Sequence, residues 1–554
     1  MRTKLLYTLF GISLGFLLAF GAQSYLQSEI TAEDIQHASN IIGLDFTAAE
    51  QDSMIEELQN SRDAYQTLRD LELNNSVPPA LNFNPIPIGK TFNKTERPED
   101  WNIPDDVTLP ENRSDLAFYT VKELASLIKQ RKISSVELTR FFMDRIEQYG
   151  DTLEAIVTVT EEHALKQARK MDRELENGNY RGPLHGIPYG LKDLFAVEGY
   201  KTTWGAAAYK NQKIDETATV AKKLEKAGAV LLAKTTLGAL AYGDVWFGGK
   251  TKNPWNLEQG SSGSSAGSAA GTSAGLFPFA IGTETWGSIV SPSNRTGTTG
   301  LRPTFGRVSR HGAMALSWSM DKVGPITRSV EDAAMVFNAI YGPDNKDQTV
   351  VDLPFNYNGD VDLSNLKIGY VESAFKSDYY NRGRDSLTLA KLQELGADLI
   401  PIELPDYPTN ALSFLLTAEG AAAFNQLTLS NRDDQLVRQG KNAWPNLFRA
   451  ARFIPAVEYI EANRARQVLI QKMDSVMQKV DVYVSPTYGG DNLLLTNLTG
   501  HPSVVLPNGF NEDGQPTSIT FMGELFEEGT LLGVAQKYQQ ATDFHTQHPE
   551  MFNN

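Results

Sequence analysis

The chain has 554 residues, of which 41% are hydrophobic and 21% charged, and its formal net charge is −16. This composition is ordinary for a globular protein, and the length suffices for one large α/β domain. The acidic balance argues against nucleic acid as a partner, because such binding relies on Lys and Arg contacts to phosphate. The chain has no cysteine, which excludes disulfides, thiolate catalysis and Cys-ligated metals.

The first 28 residues have the pattern of a secretory signal peptide or an uncleaved N-terminal anchor. Arg2 and Lys4 precede an apolar run from Leu5 to Phe20, and small residues follow it. The run is just short of the length that spans a bilayer comfortably. We therefore expect an exported protein, periplasmic or secreted, in which residues 5–22 could serve as a membrane tether.

Residues 29–114 predict a helical extension followed by a Pro-rich strap. Thr47 and Glu50 have the spacing of a capping box, and apolar residues then recur at helical spacing. We expect this amphipathic element to pack on the main domain, and coiled-coil pairing with a partner is the alternative. Residues 76–114 are rich in Pro and Asn, which predicts a wrapping strap or a linker.

Residues 115–545 predict one α/β domain. Two helices open it, at 121–131 and from Ser134, where Ser134 and Glu137 form a second capping box. Later segments alternate helix and strand, which predicts a sheet between helices. The alternating segments are a helix at 220–227 and strands at 229–233, 367–371, 481–484 and 503–506.

A Ser/Gly-rich stretch from Gln259 to Arg310 is the strongest functional signal. It passes directly into an apolar run at 276–281, which needs a core to bury it, so a flexible linker is disfavoured. Several motifs accompany it in a fixed order. They are G-I-P-Y-G-L-K-D at 186–193, S-G-S-S-A-G-S at 262–268, E-T-W-G-S at 284–288, G-L-R-P-T-F-G-R-V-S at 300–309 and N-L-T-G-H-P at 497–502.

These motifs resemble the signature of the amidase signature family, serine hydrolases that cut amide bonds with a Ser–cis-Ser–Lys triad. The resemblance covers about residues 115–540. It implies a single large domain with a twisted mixed β-sheet core covered by helices on both faces (α/β/α). It also implies that Ser288 is the nucleophile, that Ser264 is the bridging serine in a cis peptide bond, and that Lys192 is the base.

The same resemblance implies how the site is built. The oxyanion hole is expected to consist of backbone N–H groups, those of Thr285, Trp286, Gly287 and Ser288. Lys192 must be neutral to accept a proton, so burial must lower its pKa from about 10.4. We expect the Ser265 hydroxyl to bind this neutral amine, and Asp193 to be structural, because a carboxylate against Lys192 would keep the lysine charged.

Four residues depart from the family pattern. Glu284 replaces an Asp, Ala266 a Gly, Val290 an Arg, and Trp286 the first Gly of the turn before Ser288. Trp286 matters most, because a bulky residue there needs an ordinary φ or strains the turn. We expect it to narrow or re-line the acyl pocket.

Two other enzyme interpretations and one non-enzyme interpretation compete. G-S-S-A-G at 263–267 fits the nucleophile elbow of an α/β-hydrolase-type esterase with Ser265 as nucleophile, which would need a histidine such as His311 or His501. The segment before it, 256–260, does not look like the hydrophobic strand that an elbow follows. An exported binding protein on an inactive hydrolase scaffold would lack a triad member, and all three positions are filled.

Within the family, the second enzyme interpretation is the glutaminase (A) subunit of a tRNA-dependent amidotransferase. That branch works in the cytosol with partner subunits, and the export-like start argues against it. We therefore expect an exported hydrolase that forms a covalent acyl-enzyme on Ser288. Its partner would be a small-molecule or peptide amide, cleaved to ammonia or an amine, with no cofactor, no metal and no nucleic acid.

Overall fold

The computed structural model describes residues 29–97 and 101–553. Between Leu73 and Asn74 the chain divides into two compact units. The predicted signal peptide or anchor at 1–28 lies outside the described residues. No helix in the described ranges combines the length and the apolar character needed to cross a membrane.

The first unit is a pair of helices, α1 (Ala32–Ile42) and α2 (Ala48–Arg69). Each begins at a capping box, and that of α2 pairs Thr47 with Glu50 as predicted. Gly43, with a φ of 70°, ends α1. The Gln51 amide then joins the helices by donating to Gln36 Oε1 at 2.6 Å.

Within the described part of the second unit, eleven strands form one mixed sheet, in the order β1-β3-β2-β8-β10-β9-β14-β15-β13-β11-β12, and four short strands form two ribbons. The strands are β1 (Ile156–Val159), β2 (Pro188–Lys192), β3 (Val230–Thr235), β4 (Val245–Trp246), β5 (Gly249–Lys250), β6 (Lys252–Asn253), β7 (Asn256–Gly260), β8 (Phe279–Glu284), β9 (Thr299–Arg302), β10 (Lys322–Thr327), β11 (Ile368–Val371), β12 (Leu399–Ile402), β13 (Val482–Pro486), β14 (Ser503–Phe510) and β15 (Pro516–Gly523).

The described part of the second unit also has fifteen helices, several of which pack on the sheet. They are α3 (Val121–Lys129), α4 (Ser135–Leu153), α5 (Glu161–Glu176), α6 (Thr219–Ala227), α7 (Ala266–Ser273), α8 (Val290–Thr296), α9 (Val330–Ile340), α10 (Glu372–Lys376), α11 (Arg382–Glu394), α12 (Phe414–Ala423), α13 (Asn425–Leu429), α14 (Trp444–Ala451), α15 (Ala456–Met477), α16 (Asn492–Thr499) and α17 (Glu528–Gln540). Strands β2, β3, β8 and β10 are buried at every residue. Side chains alternate between the two faces of a strand, so both faces are covered, which confirms the predicted α/β fold with a mixed sheet.

The predicted Pro-rich segment has no helix or strand among its described residues before a 3₁₀ turn at Arg113–Phe118. Within the second unit, Lys90 anchors this segment to the α/β domain through ion pairs with Asp474 at 2.6 Å and Glu524 at 2.7 Å. Its aromatic side chains pack on the same unit, with Phe92 edge-on to Phe526. These contacts hold part of the segment against the α/β domain.

Candidate active site

Lys192 is the last residue of β2 and is fully buried. Strands β2 and β8 are parallel neighbours, so their carboxyl ends meet at one edge of the sheet. Lys192 Nζ lies 2.8 Å from Ser264 Oγ, 2.9 Å from Ser265 Oγ and 2.9 Å from Thr283 Oγ1. The lysine is therefore surrounded by hydroxyl groups, which can bind an amine without fixing its charge.

Burial lowers the pKa of Lys192 well below its ordinary value, against the opposing pull of Asp321 and Glu284. A desolvated lysine of this kind can lose its proton near neutral pH and then accept one from a neighbouring hydroxyl. The adjacent carboxylate of Asp193 does not counteract this, because it forms a buried ion pair with Lys234 at 2.6 Å instead. Asp193 also accepts a hydrogen bond from the N–H of Thr203 at 2.9 Å.

The segment before α7 presents the two serines to Lys192. The peptide bond between Gly263 and Ser264 is cis. A side chain at Gly263 would come 2.0 Å from the carbonyl oxygen of Gly243, so only glycine permits this close approach. Ser265 donates its N–H to the carbonyl oxygen of Ser288 at 3.1 Å. This contact brings together two motifs that are well separated in the sequence.

Ser288 lies in the turn between β8 and α8, and its residue surface is 8% exposed. Within the described ranges, no hydrogen bond joins its hydroxyl to that of Ser264. Catalytic hydrogen bonds are often longer in ligand-free proteins and tighten in the substrate complex. The structure thus places Lys192 and Ser264 in direct hydrogen-bond contact and Ser288 beside Ser265 through the backbone.

The turn that carries Ser288 offers free backbone donors. No described residue accepts a hydrogen bond from the N–H of Trp286, Gly287 or Ser288. The positive φ of the turn, 85°, falls on Gly287 and not on Trp286. Trp286 therefore has an ordinary backbone, and 42% of its surface is exposed. Unpaired N–H groups in a turn are suited to stabilising a developing oxyanion.

Glu284 holds this turn in place, a role that the sequence analysis missed. Its Oε2 accepts the N–H groups of Ile289 at 2.8 Å and Val290 at 2.9 Å. Its Oε1 accepts from Arg302 Nη1 and Asn497 Nδ2, both at 2.9 Å. Burial alone would raise the pKa of Glu284, but Arg302 and these hydrogen bonds lower it to about 2. The ionised carboxylate therefore ties three chain segments to the turn.

Thr283 and Asp321 are further site residues that the sequence analysis did not single out. The Thr283 hydroxyl contacts Lys192. Asp321 Oδ1 accepts a hydrogen bond from the Thr285 hydroxyl at 2.6 Å. Asp321 Oδ2 accepts the N–H of Leu316 at 2.8 Å. A usable signal existed for Thr283, because polar residues at the carboxyl end of a strand in an open α/β sheet tend to face a binding crevice, but not for Asp321, which directly precedes β10.

The histidines do not provide the base of a nucleophile elbow. His501 is buried against Thr499, with Nδ1 2.8 Å from Oγ1, and burial lowers its pKa to about 3. His311 lies 3.0 Å from Glu216. Neither histidine is hydrogen-bonded to Ser265, whose hydroxyl binds Lys192 and Thr283. The described residues also contain no group of His, Asp or Glu that could hold a metal ion.

A cavity of about 340 Å³ adjoins the turn. Its lining includes the buried Thr283 and Thr285 and exposed residues of the Pro-rich segment. The rest of the wall mixes apolar and charged side chains, with Leu194, Met314 and Val323 among its buried apolar members. A concave space that combines apolar surface with convergent polar groups is the usual form of a small-molecule site.

Comparison with known proteins agrees with this geometry. The family model Amidase matches residues 137–493. In sequence, the chain is 34% identical over 485 residues to the A subunit of the glutamyl-tRNA(Gln) amidotransferase of Marinomonas sp. strain MWYL1, and the match covers 78% of this chain and 98% of that protein. The corresponding protein of Acinetobacter baumannii strain ATCC 17978 is 35% identical over 488 residues, with the same coverage.

Solved structures of amidases have the same fold. The native peptide amidase of Stenotrophomonas maltophilia superposes with a TM-score of 0.69 at 30% identity, covering 77% of this chain and 97% of that one. A bacterial aryl acylamidase of the amidase signature family gives a TM-score of 0.68 at 25% identity, with coverage of 77% and 97%. The chain therefore belongs to the amidase signature family, whose members are hydrolases of amide C–N bonds.

Proposed function

We propose that this protein cleaves carboxylic amides through a covalent acyl-enzyme on Ser288, with Ser264 and Lys192 relaying the proton. The observation that carries the proposal is the buried, depressed-pKa lysine in contact with the hydroxyls of Ser264 and Ser265. A lysine without a carboxylate partner in such a place costs stability, so a functional role explains it better than a structural one.

In the proposed reaction, neutral Lys192 takes the proton of Ser264, which takes the proton of Ser288. The oxygen of Ser288 bonds to the amide carbon, and the carbonyl oxygen becomes an oxyanion facing the turn amides. When the C–N bond breaks, the proton returns through Ser264 to the nitrogen, which leaves as ammonia or an amine. Water then cleaves the ester by the same relay and releases the acid.

A panel of simple amides tests this proposal. Wild-type protein should release amine, whereas Ser288→Ala, Ser264→Ala and Lys192→Ala should not. Ser265→Ala is the matched control, because it removes a neighbouring hydroxyl without removing a member of the relay. Full activity of Ser288→Ala would show that the nucleophile is misassigned. Loss of activity in Ser265→Ala, with Ser288→Ala still active, would support the esterase-type elbow.

A second candidate is the glutaminase (A) subunit of a tRNA-dependent amidotransferase. The sequence relatives support this role better than that of a free-standing amidase, because the relatives described above are such subunits. The structural similarity to a peptide amidase and an aryl acylamidase supports the first candidate. Both candidates share the chemistry at Ser288 and differ in substrate and assembly.

Two measurements separate these roles. A free-standing amidase should hydrolyse peptide or aryl amides as the purified chain, with glutamine a poor substrate. A glutaminase subunit should release ammonia from glutamine and co-purify with partner subunits from its native source. The location of the protein is part of the same question, and we propose that residues 1–28 direct export. Cell fractionation that finds the chain in the cytosol with its N-terminus intact would contradict export.

A further inference from the structure

The Pro-rich segment does more than wrap the domain, because exposed residues at its start line the cavity beside the turn. We call residues 75–82 the crossing segment. Asn75, Ser76, Pro78, Pro79 and Asn82 all line the cavity. Proline restricts φ and stiffens an extended chain, so this segment forms a firm outer boundary rather than a loose cover.

The crossing segment is fastened at both ends. At the first end, the Asn75 side chain accepts the N–H of Ala315 and donates to its carbonyl oxygen, both at 2.9 Å. Beyond the other end, the ring of Phe83 packs under the guanidinium of Arg466, 3.6 Å from the ring centroid, and edge-on to Phe305 at 5.0 Å. Both fastenings attach it to the α/β domain that holds the site.

The charged residues of the cavity wall already have partners. Arg310 forms an ion pair with Asp347 at 2.8 Å, and Asp321 accepts a hydrogen bond from the Thr285 hydroxyl at 2.6 Å. The remaining charged lining residues with partners are Glu216 with His311, Lys322 with the carbonyl oxygen of Met320, and Lys346 with His311. A free amino acid brings an ammonium and a carboxylate that both need charged partners, so this wall suits an uncharged group.

From these observations we infer that the crossing segment sets the longest acyl chain that the enzyme accepts, and that the substrates are amides of uncharged, apolar acids. This inference rests on the proposed function. An acyl group on Ser288 has its carbonyl at the turn that begins with Thr285, and Thr285 and the crossing segment line the same cavity. At about 340 Å³ the cavity is at the small end of ligand sites, which run from about 300 to 1,000 Å³.

The test uses p-nitroanilides of acetic, butanoic, hexanoic, octanoic and dodecanoic acids. For the wild type, kcat/KM should rise with chain length to a limit and then fall by about tenfold or more for each further methylene. Ser76→Trp narrows the cavity and should move the limit to shorter acids, whereas Asn75→Ala frees one end of the crossing segment and should move it to longer acids. Leu81→Ala is the matched control, since Leu81 is 86% exposed and does not line the cavity.

Three results would overturn the inference. The first is a length profile in Ser76→Trp that equals that of the wild type, and the second is an equal loss of rate for every acid, including acetate. The third comes from a second series, acetamides of amines of increasing length: if Ser76→Trp changes the preferred length only in this series, the cavity binds the amine and not the acyl group.

Calorimetric measurement of the binding of the same anilides to Ser288→Ala separates this inference from the proposed chemistry. Length-dependent binding without any hydrolysis by the wild type would refute the chemistry and support the cavity assignment, and uniform binding would refute the assignment.

Discussion

Replacing Glu284 by glutamine tests whether one buried carboxylate fixes the turn that carries Ser288. The substitution keeps the size of the side chain and removes its charge. An amide has one acceptor oxygen, whereas the four donors around Glu284 approach two oxygens. The NH₂ group of glutamine must therefore face either the two backbone N–H groups or Arg302 and Asn497.

The expected loss of unfolding free energy follows from the pKa of Glu284. Its value of about 2 in the folded protein compares with an ordinary 4.5, and a tenfold change in a protonation equilibrium is worth about 1.4 kcal/mol. The ionised carboxylate thus contributes about 3 kcal/mol to folding. Because the folded pKa is the lower one, this stability is present above about pH 4.5 and is lost as the pH falls toward about 2.

Chemical denaturation of wild type and Glu284→Gln at a series of pH values measures this contribution. The variant should lose about 3 kcal/mol of unfolding free energy at pH 7, and the difference should shrink below about pH 4.5. Glu258→Gln is the control, because Glu258 is exposed and should change the free energy by less than about 0.5 kcal/mol. A difference below about 1 kcal/mol at pH 7 would refute the reasoning, since a buried charge pair cannot be broken so cheaply.

Further predictions concern the lysines and the turn. The kcat/KM for an amide should rise with pH as Lys192 loses its proton and level off well below the ordinary lysine pKa; a profile that rises only near that ordinary value would contradict a depressed pKa. Asp193→Asn should cost about 3–5 kcal/mol in chemical denaturation, because it leaves Lys234 buried and unpaired, and an unchanged midpoint would contradict the ion pair. Ser265→Ala should lower kcat about tenfold, the worth of one hydrogen bond to Lys192; a complete loss would make Ser265 a member of the relay. Trp286→Gly should leave the unfolding free energy within about 1 kcal/mol, because the ring is partly exposed, and a larger loss would show that the ring packs more tightly than its exposure indicates.

Local signals in the sequence predicted much of the fold. The capping box at Ser134 marks the start of α4, and the apolar run after Gly228 is β3. Such features depend on residues close together in the chain, so periodicity and capping chemistry reveal them. The order of strands in the sheet does not follow from these patterns, because strand pairing depends on contacts between distant segments.

The same distinction holds at the site. The motifs indicated Lys192, Ser264 and Ser288, and the structure brings their segments together. Pairing partners were not predictable, because Asp193 binds Lys234 across two neighbouring strands and Glu284 binds residues from distant motifs. The crossing segment was also unexpected over the cavity, since nothing in a Pro-rich sequence specifies the surface on which it lies.

The most direct test of the account is to identify the residue that becomes acylated. Wild-type protein would be quenched in acid during turnover of a slowly hydrolysed amide, digested, and analysed by mass spectrometry. The account predicts an acyl group on the peptide that contains Ser288, and no such adduct in Ser288→Ala. An adduct on the peptide that contains Ser264 and Ser265, or undiminished hydrolysis by Ser288→Ala, would contradict it.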